Sequence, residues 1–201
     1  MPEIEGEIPQ DVQDSLTSLA EELYWGGLNY YDARDVISER AEDLGMEVIG
    51  ISDNRIVIKL GEDRLPGYEE PLVAKLPQRK SYGKDGMKQN IEEIDLYQNG
   101  PDWLGDYLAP IEVAHPRGFW LVMRFAPVPD GSSIEKKKRA LLDHGILTNE
   151  ILAIENWGEW HGDVYLTDYG LGVAAFLDDI EIREWVDIVD EEDRRRGIIS
   201  D

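Results

Sequence analysis

Cysteine is absent from this 201-residue chain, so no disulfide framework, thiol nucleophile or cysteine metal ligand is available to it. Histidine is nearly as scarce, and of the three present, His115 and His144 lack any metal-ligand spacing. No apolar run approaches the ~20 residues that a bilayer-spanning helix needs. The opening MPEIEGEIPQ is acidic where a signal peptide would be basic. The expectation is a protein without a membrane span or a secretory leader. Positive charge is the last shortage: 20 Lys and Arg face 43 Asp and Glu, a formal charge of −23. Such a surface repels a phosphate backbone and anionic lipid, which argues against nucleic acid or a membrane as partner.

The acidic residues are spread along the chain and interleaved with apolar ones rather than gathered in a tail. A folded protein with that much dispersed negative charge needs strong screening, and the Debye length shrinks to roughly 3 Å at 1 M salt. This pattern predicts the cytoplasm of a high-salt host. With 42% apolar residues and six Trp, a sizeable core is within reach. The length suits one domain or two small lobes around a shared cleft.

Periodicity orders the elements. PQDVQDSLTSLAEELY, residues 9–24, spaces Val12, Leu16, Leu19 and Leu23 at helical intervals, and YYDARDVISERAEDLG reads as a second amphipathic helix closed by Gly45. The period then shortens to that of strands in MEVIGIS, RIVIKLG and PLVAKLP, with SDNR turning the first hairpin. A Gly-containing basic loop, PQRKSYGKDG, leads into a helix over MKQNIEEIDLYQ that turns Met87, Ile91, Ile94 and Tyr97 to one face. YLAPIEVA and GFWLVMRFA are two more strands. APVPDGSS is a Pro/Gly/Ser hinge, and Ser133 is expected to cap the helix that follows it. GEWHGDVYLTDYG then reads as a β-hairpin, and the tail as a helix with Ile182, Trp185 and Val189 facing inward. The tryptophans Trp103, Trp120, Trp157, Trp160 and Trp185 read as packing residues. The basic clusters at 136–139 and 194–196 read as makers of intramolecular ion pairs.

Four polar residues stand out against this order. Lys75 ends the apolar run Val73-Ala74-Lys75, Glu93 lies on the next helix, and Asn156-Trp157-Gly158 and Asp168-Tyr169-Gly170 bracket the hairpin. The order resembles that of protein kinases, which implies that Lys75 supplies the fixed cation a triphosphate needs and that Glu93 aims it. Asn and Asp oxygens suit Mg²⁺, which takes hard ligands at ~2.0–2.1 Å. In this order the set resembles the strand lysine, helix glutamate, metal-binding Asn and Asp-Phe-Gly aspartate of protein kinases. It is also similar to small kinase-like proteins encoded by tailed viruses of bacteria and haloarchaea, over roughly residues 46–175. The resemblance implies an α+β, minimal protein-kinase-like bilobal fold preceded by two N-terminal helices. Its antiparallel sheet and Glu-bearing helix would be followed by a short, mostly helical second lobe with a β-hairpin. The implied divisions are 1–45, a helical pair; 46–126, a kinase-like first lobe; and 127–201, a truncated second lobe. It also implies nucleotide binding through Lys75 and Glu93, metal binding through Asn156 and Asp168, Mg-ATP as cofactor, and a high-salt cytoplasm or a virion as location.

The departures are specific. Kinases carry a catalytic Asp five residues before the metal-binding Asn; here that residue is Ile151, which accepts no proton. No Gly-rich phosphate loop joins the first strands, where Asp53 stands instead. His161-Gly162-Asp163 offers Asp163 as an alternative base, but Gly162 falls where the hairpin needs its tip. Two readings follow: a catalytically deficient kinase-fold protein that binds a protein partner, such as a virion or assembly component, or a minimal phosphotransferase using Lys75, Glu93, Asn156 and Asp168 with magnesium.

Overall fold

The structure is a computed structural model describing residues 4, 6–26, 30–52, 54–61, 65, 67–79, 85–177, 191 and 193–197. The architecture is α+β. Helix α1 (Gln10–Trp25) and helix α2 (Tyr30–Asp43) precede strands β1 (Glu47–Ile51), β2 (Arg55–Lys59) and β3 (Leu72–Pro77). Helix α3 (Gly86–Asn99) and strands β4 (Ile111–Ala114) and β5 (Leu121–Arg124) complete the first half. Helices α4 (Gly131–Asp143) and α5 (Asn149–Leu152), the hairpin β6 (Trp157–Trp160) and β7 (Asp163–Leu166), and the single turn α6 (Gly170–Val173) follow. The inward-facing tail residues Ile182, Trp185 and Val189 lie outside the described residues.

Strands β1 to β5 form one antiparallel sheet in the order β1-β2-β3-β5-β4. Strand alternation gives it two different faces. Ile56, Ile58, Leu72, Ala74, Leu76 and Val122 point to one side and share a buried core with Val12, Leu16 and Leu19 of α1 and Ile37 of α2. The intervening Arg55, Val57, Val73, Lys75 and Met123 line the opposite side. The one charged side chain of β3 is therefore placed by parity on the face that α1 and α2 leave uncovered. β3 is buried along its whole length, as a central strand should be.

Helix α3 packs against β3 between the two cores, with Met87 and Ile91 in the core shared with α1 and Ile94 and Tyr97 in the core shared with Val73 and Met123. Asp85 caps its start, accepting from the amides of Met87 at 2.8 Å and Lys88 at 3.3 Å. The Tyr24 hydroxyl donates to the other oxygen of Asp85 at 2.6 Å, which pins the helix start to α1. The expected apolar face is present, but Gln89, Asn90, Glu93 and Asp95 are buried as well. The helix is enclosed nearly all round, so its polar side chains need internal partners.

Ser133 does not cap α4. The helix starts at Gly131, as soon as Pro127 and Pro129 release the chain, with Asp130 at the cap position. Ser133 sits inside the first turn, and its hydroxyl donates to the Asp130 carbonyl at 3.0 Å. The β6–β7 hairpin closes on a two-residue turn in which His161 and Gly162 both take positive φ, 53° and 81°, the backbone that matches strand twist. Among the described residues no helix is long and apolar enough to cross a membrane.

Candidate functional site

A cleft of about 440 Å³ opens between the uncovered sheet face and the segments around the hairpin. Its apolar end is built from Ile49 and Ile51 of β1, Val57, Val73 and Met123, closed by the 125–128 linker. Its polar end holds Arg55, Lys75, Asn156 and Asp168. The hairpin is fixed against the linker by close approach. The Glu159 amide donates to the Pro127 carbonyl at 2.9 Å, and a Cβ on Gly158 would lie 2.4 Å from Cβ of Ala126. Glu70, before β3, accepts from the Trp160 indole and lies 2.8 Å from His161 Nε2, tying the hairpin to the sheet at one side.

Lys75 and Glu93 meet. Lys75 Nζ lies 2.7 Å from Glu93 Oε2 and also donates to the Thr167 carbonyl at 2.5 Å. Glu93 is fully buried, which requires compensation for its charge. Its other oxygen, Oε1, accepts from Arg55 Nη1 at 2.9 Å and from the amides of Tyr169 at 3.2 Å and Gly170 at 3.3 Å. The glutamate thus organises the backbone at Asp168-Tyr169-Gly170 as well as the lysine. Tyr169 is itself buried, with its hydroxyl donating to the Ala109 carbonyl at 3.1 Å.

Asp168 lines the cleft but does not stand open. Its Oδ1 accepts from Arg55 Nη2 and from Gln89 Nε2 at 2.9 Å. Asn156 turns its amide nitrogen to Glu150, at 2.9 Å from Oε2 and 3.2 Å from the carbonyl. Ile151 is completely buried, and its carbonyl accepts the Trp157 indole at 2.9 Å. Ile151 is therefore part of the core. Asp163 is exposed and lines a separate depression with Lys136, Lys137 and Tyr165. Asp53 lies outside the described residues. Among the described residues no three His, Asp or Glu side chains converge as a metal cluster.

Sequence reasoning gave no role in the site to Arg55, Gln89 or Asn90. Arg55 is 3% exposed. Asn90 donates to the carbonyls of Lys75 at 3.2 Å and Gly118 at 2.9 Å, and its Oδ1 stands 3.4 Å from Arg55 Nη1. Two signals pointed to them. Gln89 and Asn90 precede Glu93 by four and three residues, the helical intervals that share a face. Arg55 alternates with Val57, which assigns it to the inward side of β2.

Electrostatics follow from the geometry. Burial alone would raise the Asp168 pKa, but the charges of Arg55 and Lys75, with the hydrogen bonds, pull it well below the ordinary carboxylate range. Burial lowers that of Lys75, and the neighbouring Arg55 charge lowers it further against the pull of Glu93. Glu150 is raised, by burial first and then by Asp168. Two cations and two carboxylates are locked together beside a cleft whose lining also includes Ser52, Arg124, Glu155 and Thr167.

No protein-family model matches this chain. No curated protein matches its sequence either.

Proposed function

We propose that this protein has a protein-kinase-like fold whose cleft binds a nucleotide without transferring its phosphate, and that it acts through a protein partner. One observation carries the reading: the buried Lys75–Glu93 ion pair beside a cleft lined by both apolar and charged side chains. Kinases depend on such a strand-to-helix pair to position phosphates, and the apolar walls suit a planar base. The burial of Ile151 supports the absence of phosphotransfer. Apolar side chains left exposed at Leu147, Leu152, Ile154 and Phe176 support the partner. The charge of −23 favours a high-salt cytoplasm or a virion of that setting.

A phosphotransferase using Lys75, Glu93, Asn156 and Asp168 with magnesium is the second reading, favoured by Asp168 lining the same cleft. The two separate in one experiment: thermal unfolding in molar KCl with Mg·ATP, for the parent and Lys75→Ala, alongside an assay for phosphate release. A ligand that binds only the folded state adds about 2.7 kcal/mol at a hundredfold excess over its dissociation constant. The expected result is a stabilisation in the parent, its loss in Lys75→Ala, and no turnover. Turnover by the parent would sink the non-catalytic reading, and a parent that ATP does not stabilise would sink the nucleotide site.

A further inference from the structure

We infer that the guanidinium of Arg55 occupies the cation position beside Asp168, keeps divalent metal out of it, and lets the cleft take a nucleotide without metal. The ligand half rests on the reading above. The exclusion of metal from Asp168 stands on geometry alone.

The argument begins with the donor set. Magnesium requires near-octahedral oxygen ligands and dehydrates reluctantly. Of the two Asp168 oxygens, Oδ1 already accepts both Arg55 Nη2 and Gln89 Nε2. Asn156, the other residue expected to hold metal, turns its amide nitrogen to Glu150. A divalent ion at Asp168 would have to sit directly against the Arg55 guanidinium.

Charge balance points the same way. Arg55 and Lys75 face Glu93 and Asp168, two positive against two negative, joined by three ion pairs, with Glu150 near enough to feel Asp168. A divalent ion at Asp168 would add two positive charges to a network already neutral and place them against a fixed cation. Arginine does not relieve that repulsion by losing a proton. Nor is Arg55 free to swing away: it is 3% exposed, its second nitrogen lies on Glu93 Oε1 at 2.9 Å, and Asn90 Oδ1 is 3.4 Å from that nitrogen. A lone surface arginine would carry none of this. Arg55 is enclosed, bonded on both terminal nitrogens and part of the cleft wall.

The test uses Mn²⁺ alone as a paramagnetic probe in molar KCl, with bound ion counted by electron paramagnetic resonance. The parent and Asp168→Asn should give superimposable binding curves. Arg55→Gln should gain a site at least tenfold tighter, lost again in Arg55→Gln/Asp168→Asn. A saturable site in the parent that Asp168→Asn removes would overturn the inference. That comparison does not depend on Arg55→Gln folding. The ligand half is tested by thermal shift of the parent with ATP in EDTA and with ATP plus Mg²⁺. Equal shifts support it, and a shift that needs Mg²⁺ overturns it. No shift in either condition overturns the nucleotide reading and the ligand half together, while the Mn²⁺ comparison still decides the role of Arg55.

Discussion

Arg55 Nη1 lies 2.9 Å from Oε1 of Glu93, the carboxylate whose Oε2 faces Lys75 Nζ at 2.7 Å. A single buried carboxylate on α3 therefore holds cations from two adjacent strands, β2 and β3. Neutralising it leaves both under-compensated, and breaking a buried pair typically costs about 3–5 kcal/mol. Glu93→Gln is expected to destabilise the protein by about that much in chemical denaturation. A loss below about 1 kcal/mol would mean that Asp168 alone balances the two cations.

Glu92, one residue earlier, behaves oppositely. Its pKa is raised to about 7 by burial, partly offset by Lys88 at 3.6 Å, and its Oε2 is buried with no hydrogen-bond partner. A carboxyl whose folded pKa exceeds its unfolded value binds its proton more tightly in the native state. Its contribution to stability is full below the unfolded pKa of about 4.3 and is lost as pH rises through about 7. Glu92→Gln should flatten the fall in stability across that window. At pH 8 it should stabilise by about 1 kcal/mol, a figure discounted for partial solvent screening. Denaturant midpoints at pH 5 and pH 8 check this, and a variant less stable than the parent at pH 8 would refute it.

Gly158 sets how tightly the hairpin closes on the linker that walls the cleft. An added Cβ would fall 2.4 Å from Ala126 Cβ and 2.6 Å from the Ala126 carbonyl oxygen, so the backbone itself must move. Gly158→Ala is expected to cost about 1–3 kcal/mol, the usual range for overpacking. It should also weaken any ATP-induced stabilisation, since the displaced linker lines the site. An unchanged melting temperature would show that hairpin and linker separate freely.

The net charge of −23 predicts a strong dependence on salt. Self-repulsion destabilises a compact state, and screening shortens from about 10 Å at 0.1 M to about 3 Å at 1 M ionic strength. The melting temperature should rise steadily from 0.1 M to 1 M KCl, at levels roughly set by those screening lengths. Parallel scans in KCl and NaCl, with sucrose as a non-ionic control, would show whether charge screening is responsible. A flat or falling curve would remove the argument for a high-salt setting.

The secondary structure was legible in the sequence because local rules govern it. Val12, Leu16, Leu19 and Leu23 sit at helical spacing and are all buried on α1, and each of the five sheet strands falls within the β-branched run that predicted it. Alternation along Val73-Ala74-Lys75 also put the lysine opposite the helix-covered face, and Glu93 came to meet it. The start of α4 was misread because a serine near the hinge looked like a cap, whereas the end of the Pro127–Pro129 stretch decides where helix begins.

What residues 55, 89, 90 and 168 do together was decided by tertiary structure alone. Each is unremarkable in its own segment: an arginine after a turn, an amide pair early in a helix, an aspartate at a strand end. Only the convergence of β2, β3, α3 and the segment after β7 removes water from around Arg55, Gln89 and Asn90 and part of it from around Asp168. Once it does, every buried charge must find a partner of opposite sign or an aligned donor. Sequence spacing therefore put Lys75 on the side of β3 away from α1 and α2, and its pairing with Glu93 was what the resemblance implied. Burial of Arg55 between Glu93 and Asp168 decided which cation Asp168 holds, because that choice depends on desolvation and no pattern within one segment encodes it.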